Sequence, residues 1–157
     1  MFYEMRRKDR VMDEIKTQAL IEACDYGILS TISESGYPYG VPVNYSYINK
    51  KIYFHGTNAG GNKYDNICYS DKVCFTIIGK TEVKPEQFST NYESAVIFGK
   101  VRVIKDTDEK KRILESILMK YSGEFRNKGL EYIDKACDAA NVYEITPEKI
   151  TGKERSL

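Results

Sequence analysis

Residues 26–55 read YGILSTISESGYPYGVPVNYSYINKKIYFH, three β-rich stretches separated only by turns. The first covers 26–33 and ends at Glu34-Ser35-Gly36. The second covers 37–48, and Asn49-Lys50 leads directly into the third at 51–55. Connections this short join antiparallel neighbours, because a parallel crossover takes about a dozen residues or more. A doubly wound parallel sheet is therefore excluded for this part of the chain. Pro38 and Pro42 lack an amide donor, so the second stretch must hold an edge, a bend or a bulge.

The rest of the chain surrounds this meander. Met12, Ile15, Ala19 and Ala23 recur near a 3.6-residue period, which predicts a helix over 13–24 with Asp9 or Asp13 as cap and Gly27 beyond its exit. A short helix is expected over 62–69, a fourth strand over 72–78 and an irregular segment over 79–93, where Pro85 sits among polar residues. A fifth strand follows over 94–105. Asp106 or Thr107 opens an amphipathic helix with Ile113, Leu114, Ile117 and Leu118 on its buried side. Another helical stretch is expected near 129–139 and a sixth strand over 141–145, broken by Pro147, with 149–152 placed to resume it. No repeat or low-complexity linker divides the sequence, so residues 1–157 are read as one domain. Six strands with few helices between them predict a mainly β fold, an antiparallel barrel with peripheral helices.

Composition narrows the function classes. The net charge of +1 gives no global electrostatic case for nucleic acid or an acidic membrane. No apolar run approaches the ~20 residues of a membrane helix. The charged start MFYEMRRKDRVMDEI lacks the apolar core of a signal peptide, so a cytoplasmic location is expected. Cys24, Cys68, Cys74 and Cys137 form no CxxC pair and are read as free thiols. His55 is the single histidine, which leaves too few ligands for an ordinary zinc site and only one centre for a Ser-His-Asp or Cys-His arrangement. No metal site is expected, and no GxSxG nucleophile motif is present.

The remaining chemistry gathers around residues 53–67, YFHGTNAGGNKYDNI. Strand, glycine loop, lysine and helix suit an anion, yet the loop departs from GxxxxGK[ST]. Lys63 comes one place late, and Tyr64 stands where a magnesium-holding hydroxyl belongs. Triphosphate chemistry loses its specific features, and the generic ones stay. Glycines let amides converge on an anion, a helix N-terminus adds partial positive charge, and Lys63 adds a full one. This suits a monophosphate; the competing reading is a plain glycine-rich connection with an exposed lysine. Upstream, Val41-Pro42-Val43-Asn44-Tyr45 either frees backbone groups for a planar heterocycle or is a simple rim bend. His55 is either structural or part of the site. The cluster Arg6-Arg7-Lys8-Asp9-Arg10 is either a solvated arm or one that folds over an anionic ligand.

In order along nearly the whole chain, several segments resemble the pyridoxamine 5′-phosphate oxidase-like superfamily of flavin-binding split barrels, and within it the 5-nitroimidazole resistance branch. They are Met5–Arg10, DYGILST from Asp25, GYPYGVPVNY from Gly36, IYFHG from Ile52, GNKYDNI from Gly61, VCF from Val73 and YESAVIFG from Tyr92. The resemblance implies a six-stranded split barrel, a homodimer, and FMN at the dimer interface. It places Gly61, Asn62 and Lys63 at the FMN phosphate, and Val43, Asn44, Tyr45, Phe54 and His55 along the flavin ring. Ser94 and Ala95 would approach from the partner subunit. It further implies an FMN-dependent reductase that takes electrons from a reduced nicotinamide and passes them to a small acceptor such as a nitroaromatic. His55 and Tyr45 are then the candidates for placing the acceptor or supplying a proton. The alternative is a flavin- or haem-binding protein with little turnover, in which His55 would be the one axial histidine available. The Arg-x-His that grips substrate in true pyridoxamine phosphate oxidases has no counterpart in the tail Ile150-Thr-Gly-Lys-Glu-Arg-Ser-Leu157, so that activity is not expected.

Overall fold

Asp13 accepts a hydrogen bond from the amide of Lys16 at 2.8 Å and so opens the first helix, α1 (Glu14–Ala23). The computed structural model describes residues 2–155 of the chain. Eight strands make one antiparallel sheet: β1 (Val11–Met12), β2 (Tyr26–Ile32), β3 (Pro38–Asn44), β4 (Ser46–Ile48), β5 (Lys51–Thr57), β6 (Lys72–Lys84), β7 (Ser89–Ile104) and β8 (Ala140–Arg155). Helix α2 (Asn62–Tyr69) follows β5, and α3 (Thr107–Ser122) and α4 (Arg126–Ala136) lie between β7 and β8.

The strand order is β3-β2-β6-β7-β8-β5-β4, with β1 added to β8. The expected six strands are thus corrected to eight. The extra two are β1 and the division of the 37–48 stretch at Tyr45. That division shapes the whole sheet. The order begins at β3 and finishes at β4, yet Asn44 ends one and Ser46 starts the other. Consecutive Cα atoms are about 3.8 Å apart, so the two ends of the sheet must meet at Tyr45. The sheet is curled round on itself and joined there by the chain, with no ladder between β3 and β4.

Two other differences have local causes. The irregular segment expected over 79–93 is instead the outer half of a hairpin. Its strands pair from Thr81↔Tyr92 to Lys84↔Ser89 beyond a register shift at Ile78/Thr81. Pro85 sits in the short 3-10 turn at the tip, where no ladder donor is needed, and Phe88 leaves it with φ 48°. The outer strands are largely exposed, so they carry none of the apolar alternation that marks a half-buried strand. Pro147 does not end β8, because it falls at a register shift opposite Gly99. A Cβ on Gly99 would lie 2.4 Å from the Thr146 carbonyl oxygen, which shows how closely the two strands approach there.

The main core lies inside the curled sheet and joins Leu29, Tyr45, Phe54, Phe75, Ile77, Ile97, Tyr143 and Ile145 to Ile21 of α1. A second cluster on the other face packs Tyr53, Ile104 and Val142 against Ile113 and Ile117 of α3. Successive residues of a strand point to opposite faces. Phe54 and Tyr143, which are register partners, therefore belong to the first cluster, while His55 and its partner Val142 face the side of the second. Beside that second cluster, Glu144 is only 3% exposed. It accepts hydrogen bonds from Arg102 at 2.8 and 3.1 Å, Lys51 at 3.0 Å and Tyr53 at 2.9 Å.

Candidate functional site around Lys63 and the Tyr45 seam

The site starts where β5 runs out of the sheet. Gly60 and Gly61 take φ of +88° and +107°, a backbone conformation that glycine adopts without strain, and this turns the chain into α2. Gly61 is the N-cap, and no side chain caps the helix. The first amides of α2 are therefore free to meet an anion. Lys63, in the first turn, folds back over the end of β5. Its ammonium donates to the His55 carbonyl at 3.3 Å and lies 5.6 and 5.8 Å from the ring centres of Phe54 and Tyr143. Those two rings are stacked, 4.8 Å apart and 12° from parallel. Burial lowers the Lys63 pKa from its usual 10.5. A Cβ on Gly56 would come within 2.6 Å of the Lys63 ammonium, so glycine at 56 keeps the space that the cation occupies.

His55 presents its ring on the opposite face from Phe54. There it borders a cavity of about 270 Å³ shared with Leu114 of α3, Tyr132 and Ile133 of α4, and Cys137. Desolvation, and then the positive charge of Lys63, lower the His55 pKa from 6.5. The imidazole is accordingly neutral at pH 7 and can donate or accept one hydrogen bond.

The other strand candidates sort in the same way. Val43, Tyr45 and Ala95 turn into the core, and Ala95 and Tyr45 are fully buried. Asn44 points outward and donates to the Asp25 carbonyl at 3.1 Å. Ser94 is half-buried on β7, opposite Ile78 and Lys153, and its place on the strand puts it on the face away from Ala95. The structure thus gathers Gly61, Asn62, Lys63 and Phe54 at one rim, while the His55 ring lies on the other face of the same strand. Val43, Asn44 and Tyr45 lie at the seam, and Ser94 and Ala95 on the central strand. The Tyr45 hydroxyl donates to the Ile21 carbonyl at 2.5 Å, and burial raises its pKa above the usual 10. In this position it has no proton to offer outside the core. Of the N-terminal arm, Arg7 forms a two-point ion pair with Asp9 at 2.6 and 2.9 Å, and Arg10 reaches the Tyr92 hydroxyl at 3.5 Å.

Two tyrosines of this region carried no distinguishing mark in the sequence. Tyr143 forms the floor under Lys63. Its hydroxyl is buried and, among the described residues, makes no hydrogen bond, with Asn141 nearby. Tyr121, near the end of α3, bonds the backbone of Tyr45. Only strand alternation for the first and helical period for the second were visible, and neither signals contact with the rim.

Among the described residues, no group of three or more His, Cys, Asp or Glu stands together to hold a metal ion. No helix there is long and apolar enough to cross a membrane. The model of the Pyridoxamine 5′-phosphate oxidase family matches residues 13–154. The chain belongs to this family. No curated protein matches the chain. Among solved structures, a proposed 5-nitroimidazole antibiotic resistance protein from Bacteroides thetaiotaomicron is 25% identical with a TM-score of 0.74, over 92% of this chain and 86% of that one. A FAD-binding protein from Mesorhizobium loti is 18% identical with a TM-score of 0.70, over 94% and 98%. The flavocytochrome Anf3 from Azotobacter vinelandii is 19% identical with a TM-score of 0.79, over 99% and 73%. The last two likenesses are of fold.

Proposed function

We propose that this member of the pyridoxamine 5′-phosphate oxidase family is an FMN-dependent reductase that takes electrons from a reduced nicotinamide and delivers them to a small acceptor of the nitroaromatic type. The observation that carries this reading is the half-buried Lys63 ammonium beside the uncapped start of α2, in a space that glycine at 56 leaves open. One lysine, a few free amides and no magnesium-holding hydroxyl match a monophosphate such as that of FMN. The solved structures described as a FAD-binding protein and a flavocytochrome support a flavin over other phosphate esters.

In this reading Gly61, Asn62 and Lys63 hold the phosphate. The outward-facing Asn44 and the backbone of Val43 and Tyr45 flank the ring, and a second copy of the chain brings Ser94 to it. Ala95, buried in its own core, supports Ser94 from behind. FMN supplies hydride and single-electron chemistry when bound. His55, neutral and beside the α3–α4 cavity, places the acceptor there by hydrogen bonding. Tyr45 is assigned a structural part, since its hydroxyl is held by Ile21.

The test is an absorbance spectrum of purified protein after FMN addition, followed by a reduced nicotinamide. Retained flavin bands that bleach on adding the nicotinamide are expected. Flavin that binds and does not bleach would leave a carrier. A Soret band would favour the haem-binding alternative, and a protein that takes up no chromophore would end the proposal.

A further inference from the structure

We infer that Tyr121 is a positioning residue for the Asn44–Tyr45 side of the ligand site, acting through the peptide that joins the two ends of the sheet. The inference rests on the reading that a flavin lies along Val43–Tyr45. On the β3 side the last ladder pair is Asn44 with Tyr26, and on the β4 side the first is Ser46 with Tyr53. Tyr45 falls between them and has no strand partner. Its side chain is fully buried, so its N–H and C=O need partners from elsewhere. One hydroxyl meets both needs: Tyr121 Oη accepts from the Tyr45 amide at 3.0 Å and lies 2.8 Å from the Tyr45 carbonyl oxygen. The same oxygen also bonds the Asp25 carbonyl, so its single proton is divided between two acceptors.

The Asp25 carbonyl is also the group that holds the Asn44 side-chain amide, at 3.1 Å. Tyr121 and Asn44 therefore share an acceptor, and the direction of the Asn44 amide depends on the Tyr121 hydroxyl. The neighbouring residue reinforces the arrangement. Lys120 donates to the Cys24 carbonyl at 2.6 Å and lies 4.1 Å from the centre of the Tyr45 ring. The end of α3 thus takes up carbonyls at the end of α1 and the seam peptide together, and in doing so sets the one outward polar side chain of the seam.

Replacement Tyr121→Phe keeps the ring and removes the hydroxyl. FMN titration is expected to show affinity about tenfold weaker than wild type, the effect of about one lost hydrogen bond. The visible bands and midpoint potential of the bound flavin are expected to shift, which a purely structural weakening would not produce. If the variant binds FMN with unaltered affinity, bands and potential, the positioning role is overturned and the flavin reading stands. If wild type takes up no FMN, the flavin reading fails first and this inference with it. Should Tyr121→Phe not fold, Asn44→Ala leaves the hydroxyl on the Tyr45 peptide and removes only the shared amide. A flavin spectrum like that of wild type in Asn44→Ala would then overturn the inference, because Tyr121 acts on the flavin through that amide.

Discussion

The ammonium of Lys63 is bonded to the backbone carbonyl of His55, 3.3 Å away, while the side chain of His55 points to the other face of the sheet. The two residues are thus coupled by charge across one strand instead of by direct side-chain contact. The cation sits over two aromatic faces in the first turn of α2, and its partial burial makes it release its proton more readily than a surface lysine.

This coupling can be measured on one nucleus, because His55 is the only histidine. Burial and the Lys63 charge both disfavour imidazolium, so the proton NMR titration of His55 is expected below pH 6.5. For a base whose folded pKa is lowered, the stabilising contribution is present above the unfolded pKa and is lost as pH falls. Lys63→Met is expected to move the midpoint up by removing the second cause. An unmoved midpoint would show that desolvation alone sets it.

Tyr45→Phe separates structure from proton supply. The lost bond to the Ile21 carbonyl leaves a buried acceptor unpaired, and a destabilisation of about 1–2 kcal/mol is expected by thermal or denaturant unfolding. Turnover per folded molecule should stay near wild type. A large fall in turnover with unchanged stability would return Tyr45 to the chemistry.

How much of this was legible in the sequence differs from residue to residue. Turn lengths exposed the antiparallel meander, and of the cap pairs Asp9 or Asp13 and Asp106 or Thr107 the structure uses Asp13 and Asp106, each accepting from an amide three residues on. The glycine loop announced its positive φ values and its lysine. Pro42 marked a bend within Val41–Tyr45 but not its place at Tyr45, because tyrosine is a good strand residue and pairing stops there only as the chain passes from one end of the sheet to the other. The outer hairpin over 79–93 was hidden because a solvent-exposed ribbon has no buried face to impose alternation. Which way Phe54, His55, Ser94 and Ala95 point follows from register, which depends on partners far along the chain.

Glu144 predicts an acid sensitivity. Its hydrogen bonds from Arg102, Lys51 and Tyr53 outweigh the desolvation that would raise its pKa, and hold it at about 2 against a usual 4.5. A depressed carboxylate stabilises above the unfolded pKa, and this stability is lost as pH falls from about 4.5 to about 2. The shift corresponds to about 3 kcal/mol at neutral pH. Glu144→Gln is therefore expected to unfold more readily at pH 7 by roughly that amount, with the gap closing towards pH 2. A gap that stays constant with pH would show that packing, and not charge, is responsible.

Gly152→Ala tests how α1 is seated. A Cβ there would lie 1.9 Å from Thr17 Oγ1 and 3.0 Å from the Met12 Cβ, so α1 must move away from β8. A loss of about 1–3 kcal/mol is expected. Adding Thr17→Ala should recover part of it, and no recovery would place the strain at Met12.

The curled sheet also has a consequence for the order of events during synthesis. Two of its three local hairpins, β2–β3 and β4–β5, lie at opposite ends of the strand order, although they are neighbours in the chain. Each completes its pairing only with strands made later, and β5 joins to β8, on the order of 90 residues downstream. A nascent chain that has released the whole rim and Lys63 still lacks Tyr143, the Tyr121 clamp and the strand that anchors β5. The rim is thereby structurally complete only after the last strand has left the ribosome.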